Sequence, residues 1–196
     1  MTDQAALTEV DALAWSADSG FPSTLVPGAR NGLFFTTDSP PEAHLVAELD
    51  GSVVGYIRLK PPTRLPENAH VIQVQGLAVH PDARGHGAAG SLLDAAAKQL
   101  RDRGIRKLTL RVLSTNEAAI RLYERHGFAC EGTQLEEFLI NGRYVDDILM
   151  AKRLLWTARL WPPIWTASAP AGPRCWTRPR SARCTWATSA PCHSRI

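Results

Sequence analysis

Apolar and polar positions alternate with more than one period along this chain. Over residues 4–16, Ala5, Leu7, Val10, Leu13 and Ala14 recur at roughly helical spacing and predict an amphipathic helix. Residues 20–42 mix Gly, Pro and Ser with Phe21, Leu25 and Phe34-Phe35, which predicts a short helix between loops. His44–Leu49 and Val53–Leu59 read as strands, and Asp50-Gly51 between them is a hairpin signal. Pro61-Pro62 and Pro66 mark the loop into a third strand, His70–Val79, in which Gly76 predicts a bulge or a close backbone approach. Ala88–Arg103 places Leu92, Leu93, Ala96 and Leu100 on one face, and Gly104 supplies its stop. Lys107–Leu113 follows as a buried strand, and Asn116–His126 as a helix that Asn116 caps. Phe128–Ile140 and Arg143–Met150, joined by Asn141-Gly142, predict a last hairpin. The fold class is therefore α/β with a mixed sheet, without internal repeats.

Composition divides the chain in two. Residues 154–196 hold six Arg and no Lys, Asp or Glu, whereas the first 153 carry 16 basic and 19 acidic side chains. The formal charge of +3 thus comes from the tail, and the body gives no electrostatic case for nucleic acid. The tail also holds five of the six Trp and three of the four Cys, is broken repeatedly by Pro, and has no helical or strand period. Such aromatic content is foreign to ordinary disorder. We read 1–153 as the domain and 154–196 as an unstructured tail with the composition of a GC-rich gene translated out of frame. Cys175, Cys184 and Cys192 lack metal-type spacing and Cys130 stands alone in a strand, so neither a disulfide framework nor a zinc site is expected. Without an apolar run of about 20 residues or a leader pattern, the expectation is a cytoplasmic protein with no membrane partner, as monomer or homodimer.

The densest chemical signal is Val79-His-Pro-Asp-Ala-Arg84-Gly85-His86-Gly87-Ala88-Ala89-Gly90-Ser91. It reads as a strand end, a polar elbow, and a glycine-rich turn opening a helix. The first N–H groups of a helix lack intrahelical partners and lie at the positive end of its dipole, so the turn suits an anion. Gly85 and Gly87 let a bulky phosphate approach the main chain, and Arg84 adds forked donors. Gly85–Gly90 is also a literal G-x-G-x-x-G, the mark of nicotinamide dinucleotide folds. Against that reading, four residues separate strand from glycine. The next strand also ends in Ser114-Thr115 with no carboxylate for a ribose.

Read as Arg84-x-x-Gly87-x-Ala89, the same residues resemble the coenzyme A pyrophosphate loop of the GNAT N-acetyltransferase superfamily, Q/R-x-x-G-x-G/A. A second block, Asn116-x-x-Ala119-x-x-x-Tyr123-x-x-x-Gly127-Phe128, is similar to that family's N-x-x-A-x-x-x-Y-x-x-x-G-F. The resemblance covers about residues 43–153 and implies a central mixed sheet whose parallel fourth and fifth strands splay apart around the cofactor. It further implies that the main chain of Leu77, Ala78 and Val79 pairs with the pantetheine arm. The N–H groups of Arg84, Gly85, His86, Gly87, Ala88, Ala89 and Gly90 would cradle the pyrophosphate, and Asn116 would bond the arm. Acetyl-CoA is then the cosubstrate and an amine the acceptor, attacked directly in a ternary complex, with N–H groups of a bulge near Leu77–Val79 holding the oxyanion.

Tyr123 is the catalytic candidate, because a phenol with a reference pKa of about 10 can protonate a thiolate of about 8.5. It also fits a packed helix tyrosine. His80 and His86 read as solvated loop residues. The sequence departs from many family members at Gln73, where they carry a Glu; no carboxylate lies in His70–Val79. Proton removal is left to ordered water, His70, Glu131, Glu136 or Glu137. The missing carboxylate also leaves open a catalytically silent acyl-CoA-binding module.

Overall fold

The computed structural model describes residues 3–14, 34–37 and 39–154. Six strands form one sheet: β1 (His44–Leu49), β2 (Ser52–Lys60), β3 (Val71–Val79), β4 (Lys107–Leu113), β5 (Ala129–Ile140) and β6 (Arg143–Arg153), in the order β1-β2-β3-β4-β6-β5. Three helices pack on it: α1 (Asp3–Ala14), α2 (Ala88–Asp102) and α3 (Glu117–Arg125). The only parallel pair in this sheet is β3 with β4; every other neighbour is antiparallel. That arrangement removes the nicotinamide reading, because a doubly wound fold needs successive parallel strands and a glycine turn directly on the first. Here a 3-10 turn, Pro81–Ala83, stands between β3 and the glycines.

Both hairpin signals are met. Asp50 and Gly51 have φ of 52° and 79°, and Asn141 and Gly142 have 49° and 74°, the left-handed pairs a two-residue turn demands. Alternation along the strands then separates two cores. Ile57, Ile72, Val74, Leu108, Leu110, Val112 and Met150 meet the apolar stripe of α2 and Tyr123 of α3. Tyr56 and Ala78 point to the opposite face, where Leu7, Val10 and Ala14 of α1 cover them with Phe34. The Tyr56 hydroxyl donates to Asp11, fixing α1 to the sheet. Leu154 closes the body, 7% exposed and donating its N–H to the Arg106 carbonyl.

Some expectations shift or change. The first helix is described as far as Ala14, and most of the helix-and-loop reading of 20–42 lies outside the described residues; the described end of it holds a Thr36–Ser39 bridge and the start of a Pro41–Ala43 3-10 turn. The tail beyond Leu154 also lies outside them. Among the described residues, no helix is long and apolar enough to cross a membrane, and no trio of His, Cys, Asp or Glu is placed to hold a metal.

Candidate functional site

Strands β3 and β4 pair only from Val71↔Lys107 to Val74↔Leu110. Beyond that point β3 stays with β2 through Val79↔Gly55, while β4 stays with β6 through Leu113↔Asp147. The two halves of the sheet therefore splay, as the resemblance implies, and the β4-facing edge of Gln75–Val79 has no strand partner. An irregularity in the β2–β3 register between Arg58 and Leu59 leaves Gln75 unmatched, so the bulge sits at Gln75 rather than near Leu77–Val79. The Arg58 guanidinium donates to the Gln75 carbonyl at 3.1 Å. The gap opens a cleft of about 590 Å³ whose lining includes Gln73, Leu77, Ala78, Val79, Arg84 and Ala89 on one side and Arg111, Asn116, Tyr123 and Asp147 on the other.

At the end of β3 the chain turns through Gly85 and Gly87, with φ of 81° and 82°, and Gly87 is the N-cap of α2 without a capping side chain. The first N–H of this segment to find a main-chain acceptor beyond Arg84 is that of Ser91, which donates to the Gly87 carbonyl at 3.0 Å. Among the described residues, the N–H groups of Gly85, His86, Gly87, Ala88, Ala89 and Gly90 have no acceptor. Six consecutive donors at a helix start concentrate positive potential on one spot. Arg84 behaves differently from expectation: its N–H donates to the Pro81 carbonyl, and its guanidinium reaches the Ala14 carbonyl at the end of α1, at 3.1 Å. Gly90 has a packing reason of its own, since a Cβ there would lie 2.8 Å from Nε2 of His126. His86 is exposed, with Nδ1 3.0 Å from the Arg84 carbonyl oxygen, and His80 accepts the Asp82 N–H.

Asn116 caps α3, its Oδ1 accepting the Ala119 N–H at 3.2 Å. Its amide NH₂ is left for the cleft. Tyr123 is 9% exposed, tilted against Phe128 at 5.8 Å between ring centroids. Burial pushes its phenol up to about 12. The tyrosine is thus a core side chain and a cleft side chain at once.

Of the bases considered, none takes the missing Gln73 carboxylate's place. His70 is exposed at the start of β3, Glu131 pairs with Lys107 at 2.6 Å, and Glu136 is exposed beyond the cleft. Glu137 accepts from Arg111 Nη2 at 3.2 Å. What the sequence reading passed over is Asp147, 2% exposed and lining the cleft, with Oδ2 taking the Nε–H of Arg111. Burial raises its pKa above the usual carboxylate value, against the opposing pull of Arg111. Arg111 also bonds Gln134 at 2.9 Å and stands over Phe138, 5.9 Å from its ring centroid. A charged residue inside an apolar strand was the available signal at both positions.

Residues 10–128 match the Acetyltransferase (GNAT) family, spanning both the glycine turn and the Asn116–Phe128 block. The chain belongs to the GNAT acetyltransferase family. Its relatives include the L-amino acid N-acetyltransferase AaaT of Escherichia coli (strain K12), 34% identical over 117 residues, covering 59% of this chain and 70% of that protein. A solved ribosomal-protein-alanine N-acetyltransferase from Brucella melitensis superposes with a TM-score of 0.52 at 31% identity, over 56% of this chain and 67% of that one. The yncA structure from Salmonella typhimurium, which holds its cofactor acetyl-CoA, shares the fold with a TM-score of 0.54 at 24% identity, over 66% and 68% of the two chains. The splayed β3–β4 pair of this GNAT chain is thus part of a fold seen with acetyl-CoA bound in another protein.

Proposed function

We propose that the protein transfers the acetyl group of acetyl-CoA to a primary amine by direct attack within a ternary complex. The observation that supports this most is the run of acceptor-free N–H donors from Gly85 to Gly90, opening beside the unpaired edge of Leu77–Val79. The donors suit a pyrophosphate, and the strand edge suits the amide-bearing arm that follows it in coenzyme A. Asn116, at the far wall, has its NH₂ to offer the same arm. The thioester then lies where the strands part, with Tyr123 on its sulfur side.

The raised pKa of Tyr123 changes how it serves. At about 12 the phenol stays neutral at every physiological pH, so its O–H is always available. It is also a weaker acid than a thiol of about 8.5. Its role is therefore to donate a hydrogen bond to the sulfur as negative charge grows there, the thiolate taking its proton from water on release. Two relatives are named for acetylating amino acids or a protein's alanine. L-amino acids and alanine-first peptides accordingly head the panel of acceptors.

Acetyl-CoA should raise the melting temperature of the protein, and NAD should not. Gly87→Val places a branched side chain at φ +82°, where strain of about 1–3 kcal/mol lowers stability by itself. The decisive reading is therefore the ligand-induced shift, which should vanish in the variant. A shift equal to wild type would remove the pyrophosphate assignment. Thiol release against the amine panel tests transfer; binding with no acetylated amine would favour a silent acyl-CoA-binding module.

A further inference from the structure

The gap between β3 and β4 joins the two faces of the sheet, and the charged residues are not shared evenly between them. Tyr123 packs with Leu110, Val112 and Met150 on the α2–α3 face. Arg111 and Leu113 alternate with these residues along β4, so they face the α1 side, and Asp147 stands opposite Leu113 in the antiparallel register of β6. Asp147 and Tyr123 therefore reach the same cleft from opposite faces. The Asp147 carboxyl makes one hydrogen bond among the described residues, from Arg111 to Oδ2. Oδ1 has no such partner, yet it is not sealed off, and the residue lines the cleft. A carboxylate so buried, held by one oxygen and open to a cleft through the other, is costly unless something is meant to meet it.

Resting on the acetyl-transfer reading above, we propose that Asp147 receives the amino group of the acceptor on the α1 face and takes its proton. The amine nitrogen bonds to the thioester carbonyl carbon, and an N–H proton passes to Oδ1 of Asp147. The C–S bond then breaks with its electron pair going to sulfur, which Tyr123 holds by its O–H until water protonates it. Asp147 returns its proton to water, leaving amide and free thiol. Putting the proton acceptor and the hydrogen-bond donor on opposite faces keeps Asp147 from neutralising the sulfur it must not reach. Arg111 is a positioning residue: it fixes the carboxyl through Oδ2 and pulls its pKa down against the effect of burial. The other charges around Asp147 are Glu137 on β5, which opposes Arg111 by raising the Asp147 pKa, and Arg58 across the cleft on β2.

The test compares wild type with Asp147→Asn, which keeps the shape and an oxygen for Arg111. Acetyl-CoA affinity should be unchanged, while kcat/KM for the best amine of the panel falls about 10²-fold or more. Protonation of the free amine gives kcat/KM an acidic fall of its own; the further acidic limb set by protonation of Asp147 should disappear with the substitution. Arg111→Gln is the second variant, useful if Asp147→Asn does not fold. Removing the cation should move that acidic limb to higher pH, because Arg111 lowers the Asp147 pKa. A purely structural ion pair would change stability without moving the limb. Turnover of Asp147→Asn within about threefold of wild type, or an unmoved limb in Arg111→Gln, overturns the proposal. A wild type that binds acetyl-CoA but acetylates no amine overturns acetyl transfer itself, and this step with it; that failure is recognised because it appears before any substitution.

Discussion

Tyr123 has a packing duty and, in the proposed reaction, a chemical one that a single atom would carry. Its ring fills the core against Phe128, and the residue also lines the cleft. Tyr123→Phe deletes only the oxygen, so packing should survive while kcat falls about 10²-fold, as for loss of one hydrogen bond to a developing charge, with acetyl-CoA affinity unchanged. Thiol release under conditions where chemistry is rate-limiting is the measurement, and an unchanged kcat would return Tyr123 to the core alone. Burial makes a second, independent prediction. The folded pKa of about 12 lies above the unfolded value of about 10, so the contribution of the neutral phenol to stability is complete below pH 10. It is lost as pH rises from there through 12. Denaturant midpoints followed across that window should fall more steeply for wild type than for Tyr123→Phe.

Among the elements, β3 carries the most constraint, and part of it comes from its neighbour. A Cβ on Gly55 would sit 2.8 Å from the Ala78 carbonyl, so β2 approaches β3 there more closely than any side chain permits. Gly55→Ala must push the strands apart, which should cost about 1–3 kcal/mol in unfolding free energy. It should also weaken acetyl-CoA binding, because Ala78 lies on the edge that faces the cleft; calorimetry on the folded variant separates the two effects. Local patterns of this kind explain what could be read from sequence. Helix α2, the two turns at Asp50-Gly51 and Asn141-Gly142, and the glycine loop are each specified within a few residues of chain, and each was legible. The position of the bulge was not: Gly76 marked the neighbourhood, but Gln75 is the unmatched residue because of where β2 pairs. Asp147 was missed for the same reason. Its meeting with Arg111 depends on the β4–β6 register, across 36 residues, and on an irregularity in β5 between Gln134 and Phe138 that brings Glu137 beside them.

At the scale of the whole molecule, every described cleft residue lies between Ala14 and Asp147, and the core closes at Leu154. Removing residues 155–196 should therefore leave acetyl-CoA affinity and turnover unchanged, as titration and thiol release on the shortened chain will check. Loss of either would refute the reading of that segment as out-of-frame sequence. The sheet itself, split for half its depth, has a further consequence. Under the proposed reaction, ligands that bind from only one side would compete with one substrate each: a pantetheine mimic with the cofactor, a small amine with the acceptor. A single molecule threaded between β3 and β4, with a pantetheine arm at one end and an amine at the other, would hold both positions together. Each end would then see the other at the effective concentration of a short tether, so its affinity should far exceed that of either half.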